Sequence, residues 1–376
     1  VSPELAQALQ GLGRVVQGLL IHPFCVELYH VQLSPRQREE VYLRSIAQIL
    51  GRIREIDSAP LTIPREPAQR LVGNCRDHAT LFVSMLRHQG VPARVRVGFA
   101  TYFGGRMNHD HWIAEYWDVA QGRWILVDPQ IDDLQRQKHG ITFDTLDVQT
   151  IEHFYLAGQA WQLCREGREK SYDFGFNNKW KGWGYLRRQV VHDLDALNKV
   201  ELLPWDLFGE IMTQKERDIG AEDRAMLDHL AELTLGVDEH LDEMRETYEA
   251  MPYSRVMGSK LRLLGLTGEL ETLDPSRLRP SDGERLADRS RATRRTVGPR
   301  AQGLRGNAIR RGMETATTDG GRSRAFHSAF EPGGRLGARG MESAPTDRER
   351  GRAFDITNAD LPTFAGLGDI HIRGAR

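Results

Sequence analysis

Cys75, His111 and Asp128 are the residues whose types and order along the chain could carry out covalent chemistry on a carbonyl group. A thiolate is the nucleophile; it needs an imidazole to take its proton and a third group to orient that imidazole. Cys75 stands in "LVGNCRDHATLFVSMLRHQG", after Gly73 and Asn74, at the head of an amphipathic run that stops at Gly90 and Pro92. With Asn74 as cap, the pattern predicts a helix from about Cys75 to Gln89. The unpaired N–H groups and dipole of such a helix favour negative charge at its first residue. Cys25, in "HPFCVELYH", and Cys164, after "AWQL" in a predicted helix, have no such setting and serve as internal controls.

The imidazole would come from "NHDHWIAEYW", as His111 with His109 beside it, and the carboxylate from "WILVDPQIDD", as Asp128 with Asp132 and Asp133 nearby. Both stretches read as strands, joined through the turn-rich Asp118–Gly122. A register that pairs Trp117 with Gly122 puts His111 directly opposite Asp128, with Cβ atoms about 5 Å apart. A slip of one residue would turn one of the two side chains to the other face. "ARVRVGFATYF" alternates as a third strand. A helix followed by antiparallel strands is an α+β arrangement rather than alternating βαβ units. The Cys75 N–H, at the helix start, is a candidate donor to the oxyanion of a tetrahedral adduct. Gly73 would let substrate approach the backbone, Asn74 lies next to the nucleophile, and Trp112 would wall the cleft beside His111.

The surrounding chain must hold these elements in place. Of 376 residues, 40% are hydrophobic, enough for a sizeable core, and the formal net charge of -1 gives no global attraction to nucleic acid or an anionic membrane. Three widely spaced cysteines argue against a disulfide framework and for free thiols in a reducing cytoplasm. The first residues lack a basic leader, and no run approaches the roughly 18 apolar residues of a membrane span. Ser34-Pro35, with Gln37, predicts a capped helix, and Val41, Leu43, Ile46, Ile49, Leu50 and Ile53 extend its apolar face. Residues 58–73, with three prolines, read as a loop, and residues 150–265 as mostly helical. From about 270 lysine is absent and arginine and glycine accumulate; "RGMETATTDGGRSRAF" (311–326) returns as "RGMESAPTDRERGRAF" (339–354). Residues 270–376 read as a disordered tail, with an Arg-rich tether for an acidic or nucleic-acid partner as the functional alternative. "NNKWKGWGYLRR" mixes aromatic and basic residues as nucleic-acid binders do, but reads first as a loop packed on the core.

Gly73-x-Cys75-x-Asp77-His78-Ala79 opening a helix, then "DHWIAEYW", then "GRWILVDP", resembles the transglutaminase-like superfamily over residues 71–130. The resemblance implies a papain-like core with Cys75 as nucleophile, His111 as general base and acid, and Asp128 as orienter. It also implies Gln69, six residues before the cysteine, as a second oxyanion donor. The flanks resemble an uncharacterised bacterial branch, which carries the domain through residues 1–265, with a core over 35–150 and a helical extension over 150–265. The implied activity is acyl transfer on a peptide or other amide through a thioester, with hydrolysis favoured. The alternatives are transamidation and a catalytically silent binding module. His78, one helical turn from Cys75, is a rival base that is poorly directed at the thiol. Cys75, His78, His109 and His111 have ligand chemistry for zinc but not the spacing of a tight site, so neither metal nor cofactor is expected. Oligomeric state is left open.

Overall fold

The computed structural model describes residues 3–200, 202–207, 219–250, 261–264 and 270–273. Helix α1 (Pro3–Leu19) runs into β1 (Leu20–Ile21); α2 (Pro35–Glu39), α3 (Ile46–Ile56), β2 (Leu71–Val72) and α4 (Cys75–His88) follow. β1 pairs in parallel with β2, which fixes the approach to Cys75. The predicted cap at Ser34 is present, with Ser34 and Gln37 in a reciprocal capping box. The single helix expected beyond it is in fact two. Ser45 and Gln48 form a second capping box, which the sequence reading missed, and the chain is extended at Leu43 before α3 starts.

β3 (Ala93–Ala100), β4 (Asn108–Asp118) and β5 (Arg123–Val127) form the antiparallel body of a five-stranded sheet. β6 (Phe154–Leu156), within a stretch read as helix, adds antiparallel to β3, and β7 (Phe174–Gly175) pairs in parallel with the start of β4. α1, α3 and α4 pack against Ala93, Ala114, Tyr116, Ile125 and Val127 of the sheet. α5 (Asp133–His139) follows β5, and α6 (Ala157–Arg165) follows β6. With α7 (Trp183–Leu197) and the helices Ala221–Leu235 and Leu241–Ala250, α6 builds a second core around Phe99, Tyr155 and Phe174. The architecture is α+β, as the sequence implies.

The β4–β5 register differs from the expected one by two residues: Trp117 pairs with Trp124 and Asp118 with Arg123. The cause is the turn. Asp118 accepts from the backbone N–H groups of Ala120 and Gln121, and Gly122 lies in the turn with φ +64 rather than in a strand. A two-residue shift preserves the face of every side chain, so His111 and Asp128 remain on the same side.

β6 covers only Gly98–Ala100 of β3, so the edge before it has no strand. α7 covers it instead: Asp193 accepts from the Val97 N–H at 2.7 Å and from Arg96. Gly98, paired with His111 on one side and Leu156 on the other, has no room for a side chain, since a Cβ would lie 2.0 Å from the Tyr155 carbonyl oxygen. A further sheet joins Asp206–Leu207, Leu261–Leu264 and Leu270–Leu273, so strand pairing reaches past residue 270. The 311–326 and 339–354 repeat lies outside the described residues. Among the described residues no helix is long and apolar enough to cross a membrane.

Candidate active site

Asn74 caps α4 as the sequence indicates. Its Oδ1 accepts from the Asp77 N–H at 3.3 Å, and the Asp77 carboxylate accepts from the Asn74 N–H at 2.8 Å. Cys75 is therefore the first helical residue, buried in a cluster with Val97, Trp112 and Ala196. The missing Cβ of Gly73 makes room for Asp77 and Leu20, a packing reason for glycine there.

His111 Nε2 lies 2.8 Å from Asp128 Oδ2, with both residues buried. Asp128 falls just beyond the last β4–β5 pair and reaches His111 as a diagonal neighbour, not as the directly opposed residue. Burial alone would push the His111 imidazole down. The Asp128 charge and hydrogen bond, with a further hydrogen bond and charge contribution from Cys75, hold it up at about 10 instead. Burial would likewise raise Asp128, but His111, Tyr102 and the Gln130 N–H hold its carboxyl below the usual range. The pair is thus an imidazolium and a carboxylate at neutral pH, and the imidazole is also hydrogen-bonded to the Cys75 side chain.

Tyr102 is a site residue that sequence reasoning missed. Its hydroxyl donates to Asp128 Oδ2 at 2.6 Å, and its ring meets His111 edge-on. Phe103 packs edge-on against His111 at 4.9 Å between centroids. Nothing local in "ATYFGG" marks either residue, because their roles depend on where β3 ends relative to β4.

The rival residues have other work. His78 is buried and donates from Nδ1 to the Asn74 carbonyl at 2.9 Å; burial pushes its imidazole down to about 4, so it is neutral. His109 lies 3.3 Å from the Gly104 carbonyl oxygen. Asp132 caps α5 and accepts from the Tyr29 hydroxyl, and Asp133 is the first residue of that helix. Gln69 is exposed in a 3-10 turn, and its side chain makes no hydrogen bond to Cys75 or His111. Burial, with Asp132 and Asp128, pushes the Cys25 thiol up to about 12, and burial with Glu169 and Asp173 does the same to Cys164. Among the described residues no group of three or more His, Cys, Asp or Glu side chains is arranged to hold a metal ion.

Further aromatic side chains lie beyond His78. Half-buried His22 faces His78 at 6.3 Å and accepts from the Phe24 N–H, and Phe24 meets Phe176 at 5.6 Å. Both phenylalanines are more than a third exposed. Trp180, expected in a packed loop, is 41% exposed, with Lys179 and Arg188 over its ring.

The site thus joins a cysteine at a helix start to a buried His–Asp pair on adjoining strands. Residues 51–129, which contain all three, match the family model of the transglutaminase-like superfamily. Searches of curated proteins and of solved structures found no match to the chain.

Proposed function

We propose that the chain is a cysteine-dependent acyl-transfer enzyme acting on an amide, with hydrolysis as its main outcome. The observation that carries the reading is the His111–Asp128 pair hydrogen-bonded across to a cysteine at a helix start, with the other two cysteines raised to about 12. In the reacting ion pair His111 holds the proton of the Cys75 thiol; the thiolate sulfur attacks the carbonyl carbon, and His111 gives that proton to the leaving amine as the C–N bond breaks. Water, deprotonated by His111, then cleaves the thioester, releasing the acid and restoring the Cys75 thiolate beside the His111 imidazolium. Asp128 and Tyr102 hold the imidazole in place; the ring contacts of Phe103 restrict its rotation.

Transamidation is the second reading, favoured by the near-complete burial of His111 and Cys75 at 2% and 8% exposure, which limits water. Adding hydroxylamine to an acylated enzyme separates the two, since a transamidase diverts most product to the hydroxamate.

The basic test is iodoacetamide alkylation at pH 7, resolved at Cys25, Cys75 and Cys164 by peptide mass mapping. Cys75 is expected to react first, and His111→Ala to slow it by about 10²–10⁴-fold, the range of a lost acid–base partner. Equal reactivity at the three cysteines, or indifference of Cys75 to His111→Ala, favours a binding module.

A further inference from the structure

The thiol acyltransfer read above creates a negative oxygen on the substrate carbonyl, and Gln69, the donor expected for it, is an exposed side chain. Another donor lies nearer. Asn74 is 4% exposed, and its Oδ1 is fixed on the Asp77 N–H, which directs its Nδ2 the other way. That Nδ2 is buried and has no hydrogen-bond partner. The neighbouring N–H of Cys75, in the first turn of a 14-residue helix, likewise has no acceptor among the described residues. Buried amide donors are almost always paired, so an orphan beside the nucleophile implies an acceptor that arrives with the reaction.

We propose that Asn74 Nδ2 and the Cys75 N–H together form the oxyanion pocket. The capping bond of Asn74 sets the direction of its own amide donor, so one side chain both starts α4 and holds the charge formed at its tip. Trp112 Nε1 is a second unpartnered donor in the same cluster as Cys75, and it is the rival for the role. Asn74 is preferred because its position is fixed by both the chain and the cap.

The proposal rests on the acyl-transfer reading, and two reagents separate the two. With p-nitrophenyl acetate, Cys75 Sγ bonds to the carbonyl carbon and the C=O pair moves onto oxygen. Re-forming the carbonyl then expels p-nitrophenolate and leaves a thioester on Cys75. Iodoacetamide reacts by displacement of iodide at a saturated carbon, with no oxyanion. Asn74→Ser keeps a capping oxygen and removes the amide donor. Its acylation rate is expected to fall by about 10²–10³-fold while alkylation of Cys75 changes by less than about threefold. Asn74→Thr, a second uncharged capping residue without the amide donor, should show the same split. Equal losses in both reactions, no loss in either, or a selective acylation loss in Trp112→Phe but not Asn74→Ser overturns the assignment. Wild-type protein that is alkylated at Cys75 but forms no thioester overturns the acyl-transfer reading, and the pocket with it.

Discussion

β4 buries two charged groups on one face, four residues apart, and it treats them in opposite ways. Glu115 accepts from Arg94 and Arg96. Arg96 in turn uses all three of its nitrogens, on Glu115, on Asp193 at 2.8 and 3.1 Å, and on the Thr234 carbonyl. His111 is paired with Asp128 and also meets Cys75, beside which the side-chain donors Asn74 Nδ2 and Trp112 Nε1 have no partner. One network is closed and joins β3, β4, α7 and the helix Ala221–Leu235. The other is closed behind the imidazole and open in front of it. Most buried polar groups in folded proteins are paired, so unpartnered donors gathered beside a cysteine and a His–Asp pair mark where chemistry is expected.

The strongest test breaks the closed network. Asp193→Ala leaves Arg96 short of its main counter-charge and the Val97 N–H without an acceptor, which should cost about 3–5 kcal/mol. Chemical denaturation measures this, and the folded fraction should keep its rate of Cys75 alkylation. A stable variant with a slowed Cys75 would show that the two networks are coupled.

A pH series sharpens the contrast further. His111 is raised from 6.5 to about 10 on folding, so the pair stabilises fully below pH 6.5, and the contribution is lost as pH rises to about 10. The Arg96 network has no comparable step: Arg96 is held above its already high value and Glu115 below its usual one, so both stay charged across that window. Wild-type Tm should therefore fall more between pH 6.5 and 10 than that of His111→Gln, whereas the deficit of Asp193→Ala should stay constant. Amide turnover should decline over the upper part of the same window, as His111 loses the proton it gives to the leaving amine. A Tm difference between wild type and His111→Gln that does not change with pH removes the ion pair.

Local chemistry made half of this legible. Asn74 before Cys75, Gly90 after the helix and the alternation of "HWIAEYW" each state a backbone preference within a few residues, and all three hold in the fold. The hairpin register was not legible, because Asp118 spends its carboxylate inside the turn and shifts the pairing by two. His111 and Asp128 still met because the shift was even. Tyr102, Phe103 and the orphan amide of Asn74 could not be read from local pattern. Their roles depend on contacts between segments distant in sequence, and the α7 cover of the β3 edge depends on Asp193, 96 residues from Val97.

The smallest expected effect lies at the aromatic border, which belongs to neither network. Phe24 and Phe176 come from distant segments, meet ring to ring and stay partly in water, so each alanine variant should change stability by no more than about 0.5 kcal/mol. Linked through His22 to His78 on the helix that carries the nucleophile, that exposed apolar surface suits an apolar group on the acyl donor. Comparing p-nitrophenyl acetate with p-nitrophenyl 3-phenylpropionate isolates the contribution. Covering some 40 Å² of apolar surface is worth about 1 kcal/mol, or roughly fivefold in rate. Wild type should favour the aromatic ester by about that factor, and Phe24→Ala with Phe176→Ala should abolish the preference while acetate is processed as before. A preference that survives both substitutions would place the apolar contact elsewhere, with Trp112 and Val97 beside Cys75 as the next surface to test.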